Sequence, residues 1–152
     1  MTIATDPLMT DIFTMIRAKI GASTTMTGIL GEYSPTDNLR VYRNHAPKVV
    51  NYPVITMNRS GRDDDTNRNT AIDFFILLSL FTNKISHTNE DIIERELLTV
   101  FGNPLTNFNQ GDTKVDEIEI SGAGGQLWDE KHRTWNLPIE LRIRARRKNN
   151  VM

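Results

Sequence analysis

The segment Ile72-Asp73-Phe74-Phe75-Ile76-Leu77-Leu78-Ser79-Leu80-Phe81-Thr82 decides the fold. It is rich in Phe and Ile, which suit a pleated surface, and too short to span a membrane, so it reads as a β-strand. Period-two alternation sets Ile72, Phe74, Ile76, Leu78 and Leu80 on one face, and Asp73, Phe75, Leu77, Ser79 and Phe81 on the other. A strand with one solvated face alternates apolar with polar, but this one is largely apolar on both sides. The second face therefore needs a cover, from more of the same chain or from another copy of it. At roughly 36 Å the strand is about twice the usual length, so it is expected to project beyond a compact core.

Working outward, Thr88 to Phe101 reads as a helix. Thr88 and Asp91 approximate a capping box, Ile93, Leu97, Val100 and Phe101 share one face, and Gly102 and Pro104 end it. Glu90, Glu94 and Glu96 are expected on the other faces. Before the central strand, Tyr52 to Met57 is a second strand, and Leu39 to Tyr42 a short one. Between Met57 and Ile72, Asn58 to Asn69 contains no large apolar side chain, so it reads as the long tip of a hairpin. At the N-terminal end, Asp6-Pro7 starts a helix whose stripe is Leu8, Ile12, Phe13, Ile16 and Ile20, and Gly21 stops it. Residues 21–38 read as a loop, with a possible short strand over Thr25 to Leu30.

Downstream, Asn103 to Lys114 reads as a polar loop and Val115 to Ile120 as a strand, broken by Gly122 to Gly125. Trp128 to His132 is the turn before a last strand in which Trp135, Leu137, Ile139, Leu141 and Ile143 share one face. Pro138 within it favours an edge position or a local bulge. The order predicts an α+β fold: a mostly antiparallel sheet of four to five strands with two helices packed on one face. The whole chain, 1–152, reads as one domain, with 145–152 as a flexible basic tail.

Composition narrows the function. The chain is 38% hydrophobic and 24% charged with a net charge of −1, which supplies no global electrostatic case for nucleic acid or membrane. It has no cysteine, so disulfides and thiolate metal sites are excluded. No basic n-region precedes an apolar core near the N-terminus, so no signal peptide is expected, and no apolar run reaches transmembrane length.

Candidate sites follow from charge. Asp63, Asp64 and Asp65 are adjacent, and side chains that alternate along an extended chain do not converge on one ion. With Arg59, Arg62 and Arg68 they form instead a candidate contact loop toward a neighbouring molecule. His45, His87 and His132 lie in separate connectors without a partner at ligand spacing. No serine stands in a nucleophile elbow, and Gly122 to Gly125 lacks the Lys-Ser/Thr of a phosphate loop. Glu117 and Glu119 share a strand face, and one such pair with no opposed partner does not make a glycosidase or nuclease site. Neither catalysis, a cofactor nor a metal is expected. Arg142, Arg144, Arg146, Arg147 and Lys148 form a candidate phosphate or protein contact, set against a strand's solvated face running into a frayed terminus. No aromatic is interleaved for base stacking.

The arrangement resembles the tail terminator (tail completion) proteins of long-tailed bacteriophages. The resemblance rests on the first helix, on Val41-Tyr42 followed by Tyr52-Pro53-Val54-Ile55, and on the acidic hairpin loop. It continues through the long strand ending Leu80-Phe81-Thr82, the helix through Leu97-Leu98, and Trp128-Asp129 before Trp135 to Arg144. The Asn- and Arg-rich loop and the basic tail have no counterpart in that pattern. The resemblance implies a subunit of a hexameric ring at the head-proximal end of a virion tail, assembled in the host cytoplasm. That ring would stop growth of the tail tube and meet a neck protein, so the expected partners are copies of itself, the tube protein and a head–tail connector. Neither a membrane nor specific nucleic acid is among them. Phe75, Leu77 and Phe81 become the expected subunit interface. A head-closure component and a small nucleic-acid-binding protein are the alternatives.

Overall fold

The structure, a computed structural model, describes residues 9–33, 37–48, 51–64, 72–83, 88–102, 108–110 and 112–147. Its elements are α1 (Met9–Gly21), α2 (Thr24–Leu30), β1 (Val41–Arg43), β2 (Val54–Asp64), β3 (Ile72–Thr82), α3 (Thr88–Phe101), β4 (Phe108–Gln110), β5 (Thr113–Ala123), β6 (Leu127–Asp129) and β7 (Thr134–Arg147). The fold is α+β, with three helices against a seven-stranded, mostly antiparallel sheet. Strand order is β1-β2-β3-β7-β5-β4, with β6 pairing β7.

The central strand sits where its sequence demands. β2 flanks it on one side and β7 on the other, each antiparallel along its whole length. It does not project: both neighbours are as long, and Ile72, Phe74, Ile76, Leu78, Leu80 and Thr82 are all buried. That face meets Ile139, Leu141 and Ile143 of β7, Ile118 of β5, Ile12 and Ile16 of α1, Met26 and Leu30 of α2, and Ile93, Leu97 and Phe101 of α3 in one core. Asp6, Pro7 and Leu8, which were expected to open the first helix, lie outside the described residues.

Several expectations are corrected. Thr24–Leu30 is a helix, not a strand: the Ser23 side chain caps it by accepting from the Met26 N–H at 3.3 Å, and Met26 and Leu30, one turn apart, both reach the core. β1 runs parallel to β2 although no helix joins them among the described residues. The polar stretch Asn58–Asp64 is strand, not hairpin tip. It is paired with Ile72–Leu77, so backbone pairing to an apolar neighbour overrides its composition. β4 and β6 arise in segments read as loop and turn; each is three residues long, too short for periodicity to show.

Glu90 faces inward, with Thr82 donating to it at 3.2 Å. Pro138 lies on an interior strand. Its carbonyl accepts from the Gly124 N–H, so its absent N–H faces the gap where β5 has ended and β6 has not begun. β7 extends to Arg147 with Ala145 fully buried, so the basic segment is paired strand up to that residue; Lys148 lies outside the described residues.

Arg17 of α1 closes one edge of the sheet. Its Nε donates to the Val41 carbonyl at 3.0 Å and its Nη2 to the Leu39 carbonyl at 3.1 Å, while Nη1 pairs with Asp37 at 2.7 Å. Arg17→Met keeps the apolar stem but strands the Val41 carbonyl and leaves the Leu39 carbonyl with only the Val41 N–H, at a cost of about 1–3 kcal/mol. Chemical denaturation is the check; a loss below about 0.5 kcal/mol would show that water satisfies that edge equally well.

Candidate interaction surface

All three helices cover the face described above, so the opposite face of the sheet is open. Register places its residues in rows. One row is Val54, Phe81, Asn136 and Leu127; the next is Thr56, Ser79 and Pro138; then Asn58, Leu77, Glu140 and Gly122; then Gly61, Phe75, Arg142 and Glu119; then Asp63, Asp73, Arg144 and Glu117. Phe75, Leu77 and Phe81 stand on this face as expected from alternation, and each is half-buried.

Part of their cover comes from the chain itself. Glu140 accepts from Ser60 on β2 at 2.9 Å and from Ser121 on β5 at 2.9 Å, forming a polar strap across the sheet beside Leu77. Phe75 leans over Gly61, where an added Cβ would lie 3.4 Å from its Cδ2. A glycine opposite an aromatic lets the ring cover backbone that would otherwise be bare.

Beyond Phe75 the face is ionic. Arg142 reaches Glu119 at 2.6 Å, Glu117 at 2.8 Å and Asp73 at 3.3 Å; Arg144 holds Asp73 at 2.9 and 3.3 Å. Partial burial acts to raise the Asp73 carboxyl, but the hydrogen bonds and charges of Arg144 and Arg142 outweigh it and hold it below the usual carboxylate range. The hydrogen bond from Arg142 lowers Glu119 in the same way, and Arg142 is raised in return, chiefly by that same bond. Arg146 pairs with Asp116 at 3.2 Å. The Arg142, Arg144 and Arg146 guanidiniums, read as a phosphate contact, are thus neutralised within the sheet, and the Glu117–Glu119 pair does have an opposed partner: Arg142, directly across from Glu119 on β7, binds both. The Arg147 side chain and Lys148 are not among the described residues.

At the other end of the face, a cleft of about 430 Å³ opens over Val54 and Phe81, between Asn44–Lys48 with Tyr52 and the turn after β6. His45 and His132, separate in sequence, both line it. His132 Nδ1 lies 2.7 Å from Asp129, which is lowered chiefly by that hydrogen bond. His87 is outside the described residues. Leu127, 59% exposed, extends the apolar row past Asn136. Sequence reasoning missed this cleft because its walls are far apart along the chain.

Of the expected contact loop, Arg59 is exposed at the outer part of β2, Arg62, Asp63 and Asp64 occupy β2 register positions, and Asp65 and Arg68 lie outside the described residues. Among the described residues, no three His, Asp or Glu side chains gather as a metal ion would require.

These features define an α+β domain whose sheet is closed by helices on one face and left open on the other. No protein-family model matches the chain, and no curated protein matches it. Among solved structures, its fold is similar to that of a chain in the virion of a native gene transfer agent particle. The TM-score is 0.73, over 91% of this chain and 96% of that one, at 9% identity. At that identity the likeness is one of fold.

Proposed function

We propose that this chain is a structural, non-enzymatic protein of a phage virion, and within it a tail terminator. Copies form a ring, six-fold by the family resemblance, on the head-proximal end of the tail tube; the ring stops tube growth and offers its other surface to a neck protein. The observation that carries this reading is the fold shared over almost the full length of both chains with a component of a virion particle. The sheet agrees with it: its open face holds Phe75, Leu77 and Phe81 only half-covered, which a neighbouring copy would complete. Fully burying such side chains stabilises by about 1.5–3 kcal/mol each. A nucleic-acid role loses its footing, since Arg142, Arg144 and Arg146 already have carboxylate partners.

The test is negative-stain microscopy of the purified protein, alone and mixed with its tube protein. Rings that cap tube ends support the reading; particles that bind only a head connector would make it a head-closure component instead.

The outer hairpin, from Arg59 through Arg68, is assigned to the contact with the tube end or a neighbour. Mixed Arg and Asp suit a docking surface in which charge sets register and encounter rate. Because Ser60–Asp64 is paired strand, the loop-shortened variant replaces only residues 65–70, with Asn-Gly. Closure entropy changes by only about 0.6 kcal/mol per doubling of loop length, so the melting temperature should hold. Complementation of a terminator-deficient phage should then give overlong or headless tails; normal tails would remove this loop from the mechanism.

A further inference from the structure

The sheet has two stretches of open edge. β1 pairs only Ile55–Met57 of β2, so beyond it Asn58–Asp64 meets no further strand on that side among the described residues. β4 pairs only Thr113–Val115 of β5, so Asp116–Ala123 is likewise open among the described residues. The two stretches are of matching length, each roughly 25 Å. An unpaired edge is a template for another strand, and proteins that need it closed cover it. This chain does so at β1, where Arg17 occupies the outward carbonyls of Leu39 and Val41. Among the described residues, no side chain does the same along either open stretch.

Direction decides what these edges fit. β2 is antiparallel to β3, β3 to β7 and β7 to β5, so β2 and β5 run in opposite senses. The β5 edge of one copy can therefore meet the β2 edge of the next as an antiparallel ladder, with neither sheet turned over. A heterologous contact of this kind, repeated, closes a ring when its rotation allows.

The geometry points to a ring seam in which Asn58–Asp64 of one copy pairs antiparallel with Asp116–Ala123 of the next. This rests on the ring reading above and names the surfaces that close it. Phe75 leans across Gly61 toward the β2 edge, so a strand added there completes its cover. By register Asn58 of β2 and Glu117, Glu119 and Gly122 of β5 share the open face, whereas Arg59 lies on the helix side opposite Ile76, so the seam is held by its backbone ladder and not by paired charges. The symmetric alternative, β5 against a second β5, would set like carboxylates together, which destabilises a sheet. Bulges at Arg59/Gly61, Val115/Glu117 and Ile120/Gly122 blunt both edges toward arbitrary strands, as suits a seam built for one partner.

The absence of native cysteine makes the test direct. Asn58→Cys/Gly122→Cys, and Ser60→Cys/Gly122→Cys as a neighbouring register, are oxidised mildly and run on non-reducing denaturing gels. A Cβ at Gly122 meets nothing within 4 Å, and matching melting curves for reduced variant and wild type verify the fold. The expected result is a ladder rising to a covalently closed ring from a double variant, while each single variant stays monomeric on the gel. Dimers from a single variant would show a symmetric edge contact and overturn the seam. Rings seen by microscopy with no ladder from either pair would overturn the seam and leave the ring reading standing. Neither rings nor ladder would overturn both.

Discussion

Phe74→Ala lowers the unfolding free energy by about 3–5 kcal/mol, while Phe75→Asp, one residue along, spares most of the fold and breaks the ring. The two side chains belong to one strand and opposite faces. Phe74 is 1% exposed in the core beneath the helices, so truncation leaves a cavity that packed neighbours can only partly fill. For a chain of this size, the loss lowers the melting temperature on the order of 10 °C. Phe75 is half-buried on the open face, so the monomer loses only about 1–2 kcal/mol with it. A carboxylate at that position faces the neighbouring copy, where desolvating a charge without a partner is prohibitive. Circular dichroism and light scattering separate the effects. A Phe75→Asp protein that remains a normal ring would show that this face is no subunit interface, and a Phe74→Ala protein with unchanged melting would contradict the core assignment.

Asp73→Ala should cost about 1–3 kcal/mol, because it leaves Arg144 and Arg142 facing each other across the space their shared carboxylate filled. The Asp73 side chain is only 13% exposed, so solvent screens this site less than an ordinary surface pair. The acid dependence has a definite sign. The carboxyl of Asp73 is held below its usual range in the fold, so its contribution is complete above the unfolded value of about 3.9 and is lost as pH falls through the folded value. Glu119 and Asp129 are lowered as well, so wild-type acid unfolding alone does not isolate Asp73. The comparison is melting temperature against pH, from about 5 down to about 2, for wild type and Asp73→Asn. The variant should show the shallower decline; parallel curves would mean that the Asp73–arginine contacts add nothing to stability.

Much of this molecule is written in local periodicity. The alternation of Ile72 to Thr82 foretold which side chains face the helices, and the same period assigned Trp135, Leu137, Ile139, Leu141 and Ile143. The four-residue spacing of Ile12, Ile16 and Ile20, and of Ile93, Leu97 and Phe101, marked two helices that bury those residues. Period two and period 3.6 are properties of a backbone with a repeating side-chain direction, so they survive without knowledge of any partner. The exclusion of disulfides and thiolate sites was equally legible, since it rests on residue type alone: the chain has no cysteine.

What tertiary structure alone decided is pairing. Asn58–Asp64 is a strand because β3 lies beside it, although no side chain in the segment asks for one. Arg142 and Arg144 look like a free basic stripe until Asp73, Glu117 and Glu119 are brought from 23 to 71 residues away. The parallel β1, the seat of Pro138 opposite a gap, and a cleft with His45 on one wall and His132 on the other share that cause. Each depends on which strand comes to lie next to which, and a sheet settles this by long-range backbone hydrogen bonds and cross-strand contacts that carry no local period.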